Sequence, residues 1–194
     1  MKALNTLPQD YLPVGSVDLQ KNKKQALLVN LLAVAIALVM VVPMCFVVPF
    51  STAFRFDSGI QTMLIRLGVL LGLIVAYMIL HELVHGVAMK LCGTKKVKYG
   101  FTGLYAFAGS EDYYDKKSYI FIALAPVVLW GAVLAVLNVL VPTEWFWIVY
   151  LIQVNNISGA AGDLYVTVKF SRMPKDILVK DHGTGMAVFG KEEK

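Results

Sequence analysis

Residues 26–50 are twenty-five consecutive positions without a charged side chain. As a helix, a run of that length crosses the roughly 30 Å hydrocarbon core of a bilayer. Three more apolar segments follow, at 67–92, 120–141 and 145–162. With 58% hydrophobic and 16% charged residues, the chain is too apolar for an ordinary soluble domain. The expected fold is therefore an all-α polytopic membrane protein. It has about four transmembrane helices, with a short β-strand or hairpin between the second and third. Residues 1–25 read as an irregular cytoplasmic arm, 26–170 as the four-span domain and 171–194 as a cytoplasmic tail. Some 25 mostly polar residues precede the first segment, which is also longer than the apolar core of a signal peptide, so it is expected to be retained as a span. Cys45 and Cys92 fall in or at the end of apolar segments, which suggests packing and no disulfide framework.

Sixteen of the eighteen Lys and Arg residues lie in three regions: the arm, the stretch from Lys90 to Lys117 and the stretch from Lys169 to Lys194. Arg55 and Arg66 lie between the first and second segments. Four spans with both termini in the cytoplasm place all sixteen inside, as the positive-inside rule requires. The net charge of +5 is then a topology signal and a match to anionic lipid. It gives no reason to expect a nucleic-acid partner.

In the second segment, fourteen uncharged residues from 67 to 80 lead into His81-Glu82-Leu83-Val84-His85. Ionisable groups at membrane depth are costly, so three within five residues point to function rather than chance. On a helix His81 and His85 leave the same face one turn apart, a spacing that lets two imidazoles share one tetrahedral metal ion. Glu82 lies beside them, placed to act as a general base without being a ligand. This is the H-E-x-x-H pattern of zinc peptidases.

A third ligand is needed for such a site, and depth selects it. His81 and His85 lie 14 and 18 residues past Leu67, and Asp163 lies 18 past Trp145. These separations amount to about 21, 27 and 27 Å along helices running in the same direction. Glu111, Asp112 and His182 are competing ligands in polar loops. Asp163 is otherwise explained as a helix cap or a partner of Lys169. Between the histidines and Asp163, residues 97–108 place Tyr99, Phe101, Tyr105 and Phe107 on alternate positions, the period of a strand. It reads either as an edge for an extended substrate or as an aromatic belt at the membrane interface. Residues 110–117 read as a solvated turn. Pro126 kinks the third span and frees a carbonyl, which either shapes a cavity or is simply tolerated. Asn155 and Asn156 are polar groups in an apolar segment and need partners.

His81–His85 on a membrane helix, Ala125-Pro126 in the next span and Asn155 eight residues before Asp163 together resemble the site-2 protease class of intramembrane metalloproteases. A closer resemblance is to a bacterial family of "putative zincin peptidases" of otherwise unknown function. The stretch Ser158-Gly159-Ala160-Ala161-Gly162-Asp163-Leu164 departs from the class, which carries prolines there and a Leu-Asp-Gly. The resemblance implies that His81, His85 and Asp163 bind zinc and that Glu82 activates water. It also implies that Asn155 helps hold substrate; in the mechanism expected here, Asn155 or Asn156 donates to the substrate backbone or oxyanion. The expected function is a zinc-dependent peptidase of the bacterial cell membrane, cleaving a membrane protein or peptide near the cytoplasmic face. The alternative is a non-catalytic zinc-binding membrane protein acting as a partner or scaffold. A metal transporter ranks lower, because the ionisable groups cluster at one depth instead of lining a path.

Overall fold

A computed structural model describes residues 3–52, 59–103 and 106–191. The chain is mostly helical. Three helices among the described residues are long and apolar enough to cross a membrane: α1 (Lys23–Val47), α2 (Ile60–Leu91) and α3 (Lys116–Leu140). The fourth apolar segment is not one unbroken span. It forms α4 (Thr143–Gly159), and the helix restarts as α5 (Ala161–Ser171). Ala160 caps the C-terminus of α4 with φ −84° and ψ 17°. At 17 residues α4 is about 25 Å long.

The chain divides into two compact units. One comprises Met1–Val29, His81–Pro126 and Gly162–Lys194. It holds a four-stranded antiparallel sheet in the order β1-β6-β5-β4, built from β1 (Tyr11–Val17), β4 (Tyr113–Asp115), β5 (Leu178–Asp181) and β6 (Met186–Lys191). A separate hairpin pairs β2 (Lys98–Phe101) with β3 (Ala106–Gly109). The core between these strands and the helical segments includes Met89, Tyr114, Tyr119, Ile122, Phe170 and Val179.

The expectation of an irregular arm is overturned here. Residues 11–17 form an edge strand on β6, and the tail supplies two strands. Pro13 and Gly15 suggest a loop, yet an edge strand leaves one row of N–H groups unused, and a register shift between them absorbs the proline. The solvated turn at 110–117 is likewise corrected. Tyr114 is fully buried, and its hydroxyl is satisfied by Thr94 Oγ1 and Ser110 Oγ, each at 2.6 Å. The hairpin expected between the second and third spans is present, with Gly103 at its turn (φ +89°). Leu104 and Tyr105 of that segment lie outside the described residues.

The other unit comprises Asn30–Leu80 and Val127–Ala161. It contains most of α1 and α2, the C-terminal part of α3, and α4. Leu70, Tyr77, Leu134, Ile148 and Ile152 form its core. Its helices expose many large apolar side chains, including Phe46 and Val139, as lipid-facing helices do. Asn156 is completely buried in this unit. Its Oδ1 accepts from the Tyr77 hydroxyl at 2.7 Å, and its Nδ2 donates to the Val127 carbonyl at 3.2 Å.

Candidate metal centre

The C-terminal part of α2 presents His81 and His85 on one face, one turn apart, because the i and i+4 positions of a helix coincide in direction. Both rings are buried. Asp163 enters from the first turn of α5. The small residues Gly159, Ala160, Ala161 and Gly162 precede it, and there α4 ends and α5 begins. Asp163 thus also occupies the helix-terminal position that was its alternative explanation, with its carboxylate turned to the two imidazoles.

The three donors form a triangle. His81 Nε2 lies 3.1 Å from His85 Nε2. Asp163 Oδ2 is 3.4 Å from His81 Nε2, and Oδ1 is 3.6 Å from His85 Nε2. A tetrahedral zinc with ligands at about 2.0–2.1 Å sets neighbouring donor atoms about 3.3 Å apart. The observed separations bracket that value, so the donor set fits the ion in chemistry and in spacing. It is the one group of three or more potential ligands found within such reach among the described residues.

The hydrogen bond on the far side of His85 fixes its lone pair. His85 Nδ1 is 2.9 Å from the Ile122 carbonyl. A carbonyl oxygen only accepts, so Nδ1 carries the proton and Nε2 offers its lone pair to the triangle. Glu82, half-buried on the same turn of α2, is not part of the triangle. The backbone N–H of Ala108 in β3 is a hydrogen-bond donor to its carboxylate. The Ser110 N–H, two residues on and on the same side of the strand, donates to the Asp181 carbonyl at 2.8 Å.

None of the competing ligands joins the triangle. Glu111 is exposed and pairs with Lys98 Nζ at 2.7 Å and Lys180 Nζ at 2.8 Å. Those two ammonium groups hold its carboxyl down at about 2. Asp112 and His182 do not join the metal-binding group. The Ala108 N–H was not legible as a site group, since no side-chain pattern marks an amide; the Ile122 carbonyl had one sequence signal, Pro126 four residues on, which leaves it without its helical donor.

A protein from Pyrococcus woesei, described as "Uncharacterized 24.7 kDa protein in gap 5'region", is 31% identical over 118 residues, which is 58% of this chain and 51% of the relative. The chain thus spans about half the length of the curated relative it matches. No solved structure matches it. A family model described as "Putative zincin peptidase" matches residues 74–178, from ahead of His81 to beyond Asp163. That match covers more than half of the chain, and the chain belongs to that family.

Proposed function

We propose that this protein is a zinc-dependent intramembrane peptidase, similar to site-2 proteases, that cuts a membrane protein or peptide near the cytoplasmic face. The observation that carries this reading is a triangle of three metal donors with a carboxylate, Glu82, beside it and outside it. Structural zinc sites are closed by four protein ligands, whereas catalytic sites use three and keep one position open. Zinc held by His81, His85 and Asp163 would polarise the scissile carbonyl and acidify a water. Glu82 takes the proton of the attacking water and returns it to the leaving amine. The Ala108 N–H orients the Glu82 carboxylate for that transfer. The hairpin that carries Ala108 offers strand geometry to an extended substrate. Of the two asparagines, we assign substrate binding to Asn155, because the Asn156 amide is engaged by Tyr77 and Val127.

The membrane topology is supported by the sheet. Its strands come from before α1 (β1), between α2 and α3 (β4) and after α5 (β5, β6). Strands of one sheet occupy one side of a bilayer, so an even number of crossings separates each from the next. Helices α1 and α2 supply one pair. The other pair needs α3 and a second crossing, which we assign to α4 continued by α5. The lysine-rich segments beside these strands favour the cytoplasmic side.

The test is Glu82→Gln, which keeps size and hydrogen bonding but removes the proton acceptor. General acid–base catalysis contributes about 10²–10⁴-fold, so cleavage should fall by that much while zinc and fold remain. Comparing the membrane proteomes of wild-type and Glu82→Gln cells should reveal a membrane protein or peptide precursor accumulating uncut in the mutant. If no substrate differs, and Glu82→Gln fully rescues the phenotype of a gene deletion, the non-catalytic partner or scaffold becomes the better account.

A further inference from the structure

The Ile122 carbonyl that receives His85 has a feature set by the sequence four residues later. In an α-helix the carbonyl of residue i accepts the N–H of residue i+4. For Ile122 that residue is Pro126, inside α3, and proline has no N–H to give. Ile122, Pro126 and His85 are all buried, so water is poorly placed to substitute. A buried carbonyl without a partner is costly, the more so at membrane depth. The His85 Nδ1–H, at 2.9 Å, fills the position that the proline vacates.

We propose that Pro126 is a positioning residue of the metal centre: it withholds the one N–H that would claim the Ile122 carbonyl and so keeps that carbonyl for His85. The proline makes the acceptor, the acceptor selects the Nδ1–H tautomer, and the tautomer turns the Nε2 lone pair toward His81 and Asp163. A residue at position 126 with an N–H would close the helix ladder and compete with the imidazole for the same oxygen. The ring would then be free to rotate or to carry its proton on Nε2, where it blocks metal binding. This inference rests on the zinc reading of the site, but its first readout is taken without metal.

In metal-free wild-type protein in micelles, nitrogen-15 NMR should show His85 protonated on Nδ1. In Pro126→Ala the Nε2-protonated form should appear. Zinc affinity, measured by competition with a chromophoric chelator, should fall about 10–100-fold, the usual effect of losing an outer-shell partner. Lactic acid at position 126, installed by nonsense suppression, gives an ester that lacks the N–H and also lacks the proline ring. It should keep wild-type affinity. Pro43→Ala in α1 removes a proline from a membrane helix that carries no ligand and should leave affinity unchanged. Equal affinity and an unchanged tautomer in Pro126→Ala would overturn the proposal. So would an equal loss in the alanine and ester variants, which would trace the effect to ring packing. If Pro126→Ala does not fold, the wild-type tautomer and the ester variant still decide it. A wild-type protein that binds no zinc but shows the Nδ1–H tautomer would refute the metal reading and leave the positioning of His85 standing.

Discussion

The two histidines and Asp163 were legible in the sequence because membrane depth makes charge conspicuous. An ionisable group in an apolar run has few explanations, and two such groups at i and i+4 have fewer. What surrounds them was legible only in part. The Ile122 carbonyl and the Ala108 N–H are backbone groups that become site groups through helix and strand geometry. Gly86, directly after His85, gains its meaning the same way. A Cβ there would run into the ring and hydroxyl of Tyr99 in β2, so the glycine lets that aromatic side chain lie against α2 beside the motif. Gly86→Ala should therefore overpack this contact and destabilise the fold by about 1–3 kcal/mol. Tyr99→Ala made in the same chain should recover most of that loss. Thermal unfolding of the two single variants and the double variant measures the coupling directly; additive effects would mean that the ring moves aside without cost.

At the scale of elements, the apolar helices announced themselves by composition and the sheet did not. Its strands are three to seven residues long, and β1 contains both Pro13 and Gly15. Short strands with such residues are set by pairing and burial instead of local preference. The break between α4 and α5 was equally hidden, since small residues are compatible with a continuous helix as well as with an ending one. One buried group in this sheet gives a pH-dependent consequence. Asp181, at the end of β5, accepts from the Tyr119 hydroxyl at 2.8 Å and the Gly183 N–H at 2.7 Å. Burial outweighs both bonds and pushes its carboxyl from 3.8 up to about 6. The folded protein thus keeps a proton that the unfolded chain has released. The stability this contributes is fully present below about pH 3.8 and is lost as the pH rises through about 6. In metal-free protein, Asp181→Asn should therefore gain on wild type as pH rises across that window, by up to about 3 kcal/mol. Melting curves of both proteins at pH 4 and pH 7 provide the comparison, and a difference independent of pH would contradict it.

At the scale of the whole molecule, charge and sheet topology lead to the same arrangement by independent routes. The positive-inside rule favours the arm, the loop at 95–117 and the tail on one side, and the proposed arrangement agrees with a sheet that draws strands from all three. Cysteines introduced at Lys96 and Lys175 should resist an impermeant thiol reagent applied to intact cells, in a background lacking Cys45 and Cys92. One at Thr143, the first residue of α4, should react. A label near Ser58 should also be external, although that position lies outside the described residues. External labelling at Lys96 would undo the four-crossing arrangement. A three-ligand zinc site with Glu82 beside it can be read out by metal analysis and zinc X-ray absorption on the purified protein. About one zinc per chain is expected, with two imidazole nitrogens and one carboxylate oxygen as protein ligands, kept in Glu82→Gln and lost in His81→Ala, His85→Ala and Asp163→Ala. Full zinc occupancy in Asp163→Ala, with loss in Glu111→Ala or His182→Ala, would contradict it.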